Sequence, residues 1–196
     1  MRFLTLLLLG SMIVMTNPAS AQDAGLDPQN TLNLDLTYGK VVIKMMPEVA
    51  PKHVEQIKTL TRQGFYDGIV WHRVIDGFMA QTGDPTGTGM GGSKLPNIPA
   101  EFNKTNFGRG AVGMARSASP DSANSQFFIC FDDCSFLNGQ YTVWGQVVEG
   151  MQFVDQIKRG EPPASPDKIV KMSIAADDAA KTEAPTEVPP SAAAAK

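Results

Sequence analysis

The sequence predicts a mainly β protein, a closed eight-stranded antiparallel β-barrel capped by two α-helices. Three observations lead to this fold class. About eight short segments are rich in β-favouring residues or alternate between apolar and polar ones. Turns and loops connect most of these segments, which favours antiparallel pairing. Two amphipathic helical segments lie far apart along the chain, and closing the sheet would leave no exposed edge.

The predicted strands follow one another from residue 31 to residue 175. Leu32, Leu34 and Leu36 alternate with polar residues, which is typical of a half-buried strand, and the dipeptide at 76–77, Asp-Gly, is a strong turn signal. The segment 126–131 is apolar on both faces and is therefore expected to be central. The predicted strands are 32–36, 41–46, 70–75, 78–81, 110–115, 126–131, 141–148 and 168–174.

Two segments have helical spacing. The first begins at Pro51 and repeats apolar residues every three positions up to Gly64, so that one apolar stripe would cover the sheet. The second opens after Gly150 and ends at the basic residues before Gly160. We expect these two helices to cap the barrel.

The two ends of the chain differ from this domain. Arg2, an apolar run over 3–15 and small residues at 19–21 form the pattern of a signal peptide, assigned to residues 1–21. The apolar run is too short for a good membrane span, so we expect an exported protein with no membrane contact after cleavage. Residues 22–30 are expected to be a loose lead-in, and the Ala-, Pro- and Glu-rich residues 176–196 a disordered tail.

Charge and cysteine content exclude several classes of function. Without the signal peptide the chain holds 16 Lys and Arg against 20 Asp and Glu, which provides no basic surface for nucleic acid or an anionic membrane. A disulfide between Cys130 and Cys134 would require a tight reversal of the chain, and free thiols are slightly favoured. His53 and His72 do not have metal-motif spacing with them, so neither a metal nor another cofactor is expected.

A glycine-rich loop at 84–94 imitates a nucleotide-binding motif. Gly87, Gly89 and Gly92 satisfy the dinucleotide pattern, but that pattern requires a helix directly afterwards. Two prolines follow at 96 and 99, which makes a helix unfavourable. A flexible surface loop is the expected structure.

Arg73 is the most informative residue of the third predicted strand. Strand alternation would place it on one face with Trp71 and Ile75, while an amide, Gln81, returns on the next strand. A permanent cation among apolar neighbours is seldom buried unless it is used or paired. The alternative is a structural Arg whose head reaches solvent or an acid such as Asp84.

Three blocks in this region and beyond resemble the cyclophilins, a family of peptidyl-prolyl cis-trans isomerases. The first is HRVIDGFMAQTGD at 72–84, the second combines GMAR at 113–116 with NSQFFI at 124–129, and the third is FLNGQYTVWG at 136–145. They occur in the order found in the family and span most of residues 31–175. The resemblance implies an eight-stranded barrel with two capping helices. It is closest to bacterial exported members of the family, which implies a periplasmic protein, with secretion as the alternative.

The resemblance also implies a role for each matching position. Arg73 corresponds to the catalytic arginine and Gln81 to the glutamine that orients it. The proline pocket corresponds to Phe78, Met79, Phe128, Leu137 and Tyr141, and Gln126 to a polar groove residue. Ala115 and Arg116 match the edge whose backbone binds the peptide. Phe136 is also expected to bind the substrate. It replaces a Trp that supports cyclosporin binding in many members, so weak cyclosporin binding is expected.

The residues fit a reaction in which no covalent bond is made. No nucleophile motif or carboxylate pair is present, whereas one Arg, one Gln and several apolar side chains suit the distortion of a bound X-Pro bond. The expected function is therefore isomerisation of proline-containing, unfolded or extended polypeptides by a monomer that assists their folding. The alternative is a binding module or holdase chaperone with little turnover.

Overall fold

The structure is a computed structural model that describes residues 25–183; the predicted signal peptide and residues 184–196 lie outside the described residues. Eight strands form one sheet in which neighbours pair antiparallel, in the order β3-β4-β6-β5-β7-β2-β1-β8. The strands are β1 (Thr31–Leu36), β2 (Gly39–Met45), β3 (Arg73–Ile75), β4 (Met79–Thr82), β5 (Ala111–Met114), β6 (Phe127–Cys130), β7 (Val143–Glu149) and β8 (Ile169–Ile174). Each lies where the sequence predicted a strand, and β6 is central, between β4 and β5.

The prediction of a closed barrel is wrong, because the sheet curls into a half-barrel. β3 contains only three residues and does not pair with β8 at the other end of the sheet. Instead, its outer edge pairs with a loop, where Val74 and Gly160 exchange two backbone hydrogen bonds of 2.8 Å. The chain before β3 reaches the β8 side through a single bridge from Val70 to Lys168.

The first predicted helix is present as α1 (Pro51–Arg62). Val54, Ile57 and Leu60 are buried, and they pack with the inner face of the sheet in the main hydrophobic core. The apolar residues predicted at every third position thus face the sheet as expected.

The second predicted helix is shorter than expected, since α2 covers only Met151–Val154. Beyond it the chain continues in three-residue turns, with hydrogen bonds from Gln156 to Phe153 and from Ile157 to Val154. Gly150, which precedes α2, has φ +80°, and a Cβ there would lie 2.2 Å from the Lys40 carbonyl oxygen. The close approach of β2 therefore requires glycine at this position.

Both terminal predictions need correction where the structure describes them. In the lead-in, the Asp27 side chain accepts a hydrogen bond from the Gln29 backbone and caps a 3-10 turn at Pro28–Asn30, so this part is not loose. At the other end, α3 (Ala175–Glu183) replaces the predicted disorder of residues 176–183. Asp178 explains this order, because it accepts hydrogen bonds from Asn33 and Ser173. None of the helices between residues 25 and 183 is long and apolar enough to cross a membrane.

The buried apolar residues form two separate clusters. The main core lies on the face of the sheet that packs against α1, whereas a smaller cluster lies around Met79, Phe107 and Phe128 on strands β4 to β7 and the loops beside them. Trp71 belongs to the main core together with Val74, so the prediction that it shares a face with Arg73 is wrong. The physical reason is that β3 begins only at Arg73, and strand alternation does not extend back to Trp71.

Candidate active site

The smaller cluster forms the floor of an apolar cavity of about 240 Å³. The cavity is bordered by strands β3 to β6 and by the loop that follows β6. The structure brings most of the predicted site residues together here. Its lining consists of Arg73, Phe78, Met79, Gln81, Ala115, Arg116, Phe128, Leu137 and Tyr141.

Aromatic contacts fix the walls of this apolar cavity. Phe128 on β6 stacks on Phe107 with ring centroids 5.6 Å apart and meets Tyr141 edge-on at 5.9 Å. Phe136 lies outside the cavity lining and is 62% exposed, but its ring contacts Phe78 at 5.3 Å. Rings held in this way form a preformed apolar hollow with one exposed aromatic at its rim.

Arg73 lies at the rim of the apolar cavity and is not tied into the interior. Its side chain is 42% exposed, and its Nε donates to the Glu161 carboxylate at 2.8 Å. The acid partner is thus Glu161, and not Asp84, which sequence reasoning had offered. Among residues 25–183 the terminal nitrogens of the guanidinium have no hydrogen-bond acceptor, so four N–H groups remain for a ligand.

Gln81 lies directly across the β3–β4 ladder from Arg73, but its side chain makes no hydrogen bond to the guanidinium. Its Nε2 donates to Oε1 of Gln126 at 2.8 Å. The Gln126 amide in turn donates to the carbonyls of Gly89 and Gly91. Through Gln126, the Gln81 side chain is therefore connected to the glycine-rich loop, and its role in orienting the guanidinium stays a prediction.

A second cavity of about 450 Å³, lined mainly by glycines and polar side chains and called the polar cavity below, adjoins the first. Gln81, Ala115 and Arg116 border both cavities, and Gln126 lines the second. Its other lining residues, which sequence reasoning missed, are Gly89, Met90, Gly91, Gly92, Ser93, Asn97, Ser117, Ser122 and Asn124. The two cavities together form a groove with an apolar end and a polar end.

The glycine-rich loop of this groove is held by one buried carboxylate. Asp84 is 1% exposed and accepts backbone N–H groups from Thr86, Thr88, Gly89 and Gly91. Burial alone would raise the pKa of Asp84, but these hydrogen bonds outweigh it and lower the pKa to about 2. The loop lies at the surface as predicted, yet it is tied to Asp84 and not flexible throughout.

The edge formed by Ala115 and Arg116 separates the two cavities. The Ala115 N–H donates to the Gln126 carbonyl at 2.9 Å, whereas the backbone N–H of Arg116 has no acceptor among residues 25–183. The Arg116 side chain donates to the Gln140 carbonyl, and its guanidinium carbon lies 4.5 Å from the Tyr141 ring centre. The groove thus has a backbone donor beside a fixed cation.

The histidines and cysteines lie outside both cavities. His53 is buried against the Glu101 carboxylate at 2.6 Å, and burial lowers its pKa. His72 is also buried, and burial lowers its pKa as well. Cys130 and Cys134 are free thiols, as favoured from the sequence, and burial raises the pKa of both.

The apolar cavity is chemically simple. Its lining contains no Ser, Thr, Cys, His, Asp or Glu, so no side chain there can act as a nucleophile with an adjacent base. Within residues 25–183 no three His, Cys, Asp or Glu side chains gather as a metal site. The arrangement can hold an apolar ring, and Arg73 can donate hydrogen bonds to a polar atom beside that ring.

Comparisons with known proteins agree with this geometry. The profile of the family described as "Cyclophilin type peptidyl-prolyl cis-trans isomerase/CLD" matches residues 31–174. A probable peptidyl-prolyl cis-trans isomerase of Brucella suis is 54% identical over 167 residues, covering 77% of this chain and 85% of the relative. A peptidyl-prolyl cis-trans isomerase of Schizosaccharomyces pombe is 36% identical, covering 71% of this chain and 96% of that protein.

Solved structures show the same relationship. The crystal structure of cyclophilin AquaCyp293 from Hirschia baltica superposes with a TM-score of 0.72 at 30% identity, covering 78% of this chain and 76% of that chain. A cyclophilin-type isomerase from Cryptosporidium parvum, crystallised in the presence of the dipeptide Ala-Pro, gives 0.68 at 27% identity, covering 74% and 98%. The chain therefore belongs to the cyclophilin family and is a peptidyl-prolyl cis-trans isomerase.

Proposed function

We propose that this isomerase accelerates X-Pro rotation in exported polypeptides and so assists their folding, with Arg73 stabilising the transition state over the apolar cavity. One observation carries the mechanism. The Arg73 guanidinium is exposed at the rim of a 240 Å³ apolar cavity, with its terminal N–H groups unengaged by residues 25–183. A proline ring fills such a hollow, and its imide nitrogen then faces the guanidinium.

The reaction needs a stabilised twisted amide and no covalent intermediate. The barrier to peptide-bond rotation is about 18–20 kcal/mol because C–N resonance is lost. Uncatalysed X-Pro exchange takes roughly tens to hundreds of seconds, and a millisecond reaction requires an acceleration on the order of 10⁵, or about 7 kcal/mol. As the amide twists, its nitrogen gains a lone pair, and a guanidinium N–H donates to it more strongly than in the planar state, contributing about 1.5–3 kcal/mol.

The rest of the acceleration is assigned to clamping and to exclusion of water. Met79 and Phe128 are nearly fully buried under the apolar cavity, so a proline ring held there leaves water on one side only. The free backbone N–H of Arg116 can hold the peptide while the prolyl bond turns. The Ala-Pro dipeptide present with the Cryptosporidium parvum relative has the ring and short chain that this geometry fits.

An Arg73→Ala variant tests this mechanism. Loss of the hydrogen bond to the imide nitrogen is expected to lower kcat/KM by about 10- to 100-fold, the factor that corresponds to 1.5–3 kcal/mol. The measurement is a protease-coupled or NMR-exchange assay on an Ala-Pro peptide. Arg62→Ala is the matched control, because Arg62 is a similarly exposed, ion-paired arginine on α1. Equal rates for Arg73→Ala and the wild type would exclude the mechanism.

A binding module or holdase with little turnover is the second candidate. The 450 Å³ polar cavity favours it, because this volume holds more of a chain than one prolyl residue. Arg73 argues against it, since a binder has no need of a cation directed at the imide nitrogen. Binding of unfolded chains with little turnover by the wild type, and equal rates for the wild type and Arg73→Ala, would favour the holdase.

Export to the periplasm is proposed from the signal-peptide pattern of residues 1–21. Cell fractionation with N-terminal sequencing tests it: the mature protein should begin at Gln22 and appear with periplasmic markers, or in the medium if it is secreted. A cytoplasmic protein that begins at Met1 would contradict export. We further propose a monomer with no affinity for nucleic acid.

Weak cyclosporin binding is proposed from Phe136. Its exposed ring offers apolar contact but no N–H donor, whereas an indole would supply one. Phe136→Trp is expected to tighten cyclosporin inhibition about tenfold, equivalent to about 1.4 kcal/mol. Inhibition titrations on both proteins measure this, and tight inhibition of the wild type would contradict it. Val170→Trp, which adds an indole at another exposed apolar position on β8, is the control.

A further inference from the structure

The partner of Arg73 is an acid that no local motif reveals. Glu161 lies on the loop between α2 and β8, 88 residues after Arg73, and accepts from its Nε at 2.8 Å. Both side chains are about half exposed, 42% for Arg73 and 52% for Glu161. Gln81, the neighbour of Arg73 across the strand pair, makes its side-chain hydrogen bond to Gln126 instead.

The backbone beside Glu161 is fixed relative to Arg73. Gly160 and Val74, the residues next to them in sequence, are joined by two backbone hydrogen bonds of 2.8 Å. Gly160 has φ +145°, and a Cβ there would lie 2.5 Å from Pro163 Cα, so the turn requires glycine. The side chains of Glu161 and Arg73 therefore extend from adjacent backbone positions, on the same side of this backbone pair.

A second ion pair holds the same loop from the other side. Arg159 Nε donates to the Asp76 carboxylate at 3.0 Å, and its guanidinium stacks over the Phe131 ring at 4.2 Å. Asp76 belongs to the turn between β3 and β4. The loop is thus bound to the β3–β4 hairpin both at Val74 and at Asp76, so the position of Glu161 is coupled to that of the hairpin.

The geometry of the pair has a specific consequence for catalysis. A guanidinium is planar, and an acceptor on Nε leaves the four N–H groups of the terminal nitrogens free. An acceptor on those terminal nitrogens would compete with the imide nitrogen of the substrate. Glu161 occupies the one donor that the substrate does not need, and it restricts rotation about the end of the Arg73 side chain.

We infer that Glu161 is a positioning residue for the isomerase reaction, acting through the guanidinium of Arg73. The inference rests on the proposed role of Arg73 in the transition state. An exposed ion pair favours one geometry by a factor of about two to five. Loss of the pair is therefore expected to lower kcat by a similar factor, with little change in KM because Glu161 does not line the apolar cavity.

The test is a double-mutant cycle on the full-length protein. Glu161→Ala is expected to lower kcat about two- to fivefold with KM within twofold, and Glu161→Gln, which keeps an oxygen acceptor, to retain more than half of the wild-type kcat. In an Arg73→Ala background, Glu161→Ala should cause no further loss. Asp177→Ala removes the acceptor of a remote pair, Arg62 Nε to the Asp177 carboxylate at 2.9 Å, and should leave kcat unchanged.

The possible results distinguish failure of the positioning role of Glu161 from failure of the proposed role of Arg73. Wild-type kcat for Glu161→Ala, or an equal further loss in the Arg73→Ala background, would overturn the positioning role while Arg73→Ala alone remains defective. A fully active Arg73→Ala variant would overturn both proposals. Melting temperatures of all variants identify a loss that comes from unfolding. If Glu161→Ala is destabilised, more than half of the wild-type kcat in Glu161→Gln supports the positioning role, and a loss in Glu161→Gln as large as in Glu161→Ala overturns it.

Discussion

At the scale of single residues, Arg116 links the two ends of the groove. It borders both cavities, and its guanidinium carbon lies 4.5 Å from the centre of the Tyr141 ring, which forms a wall of the apolar cavity. Tyr141 in turn meets Phe128 edge-on. A cation over an aromatic face at a partly exposed site stabilises the contact by about 0.5–1 kcal/mol. The side chain is therefore expected to hold the wall in place.

Arg116→Ala should raise KM about two- to fivefold at unchanged kcat, because Tyr141 loses the group that covers its outer face. Steady-state kinetics on an Ala-Pro peptide measure the two parameters separately. Tyr141→Phe keeps the ring, so Arg116→Ala should cause a similar rise in that background. A change in kcat alone would show that Arg116 acts on the chemical step and not on the wall.

At the scale of structural elements, the loop at 84–94 is organised by a hydrogen-bond network and not by a helix. Asp84 collects four backbone N–H groups of the loop, and the carbonyls of Gly89 and Gly91 then hold the Gln126 amide. Gln126 holds Gln81 beside Arg73. The polar cavity therefore depends on one carboxylate at the base of its loop.

Asp84→Asn is expected to destabilise the protein by about 1–3 kcal/mol, because an amide N–H₂ replaces an oxygen that accepts backbone N–H groups in a buried site. Chemical denaturation monitored by fluorescence gives this free energy. Asp76→Asn, on an 84% exposed carboxylate, is the control and should change it by much less. Unchanged stability of Asp84→Asn would mean that the loop hydrogen bonds contribute nothing net.

The same carboxylate predicts a pH dependence. The pKa of Asp84 is lowered to about 2 in the folded state, against about 3.9 when unfolded. Its contribution is therefore complete above about pH 5 and is lost as the pH falls through about 4 to below about 2, amounting to about 2.6 kcal/mol. The acid-induced decrease in stability should be smaller in Asp84→Asn than in the wild type, and equal decreases would contradict this assignment.

At the scale of the whole molecule, one sheet supports two apolar clusters on its opposite faces. The main core lies on the face that packs against α1. The smaller cluster lies on the other face and forms the floor of the apolar cavity. Cys130 and Cys134 lie in this smaller cluster with both thiols buried. The rate at which these thiols react therefore shows whether the floor of the site opens separately from the rest of the protein.

Neither thiol is expected to react with a disulfide reagent in the native protein, because each is buried with a raised pKa and little thiolate is present. Both thiols should react only at the rate of global unfolding. The absorbance change of the reagent, recorded after stopped-flow or manual mixing, measures this rate. Cys134→Ser isolates the response of Cys130. A thiol that reacts much faster than global unfolding would reveal local opening beneath the site.

The amino-acid sequence by itself determined the positions of the strands and of α1, and the residues that come together around the apolar cavity. Leucines alternating over 32–36 and the helical spacing after Pro51 bury the same residues in the structure, because these periods are properties of the backbone itself. The motif blocks around Arg73, Phe128 and Tyr141 also come together around one cavity. Each of these inferences depends on residues close to one another in the sequence.

Tertiary structure alone decided the openness of the sheet, the order of α3 and the partner of Arg73. Each depends on contacts between distant residues: Val74 with Gly160, Asn33 with Asp178, and Arg73 with Glu161. A periodic pattern reports which face of an element is apolar but not which distant side chain will meet it, since that pairing is set by how the elements pack. The orientation of the guanidinium is accordingly a property of the folded molecule.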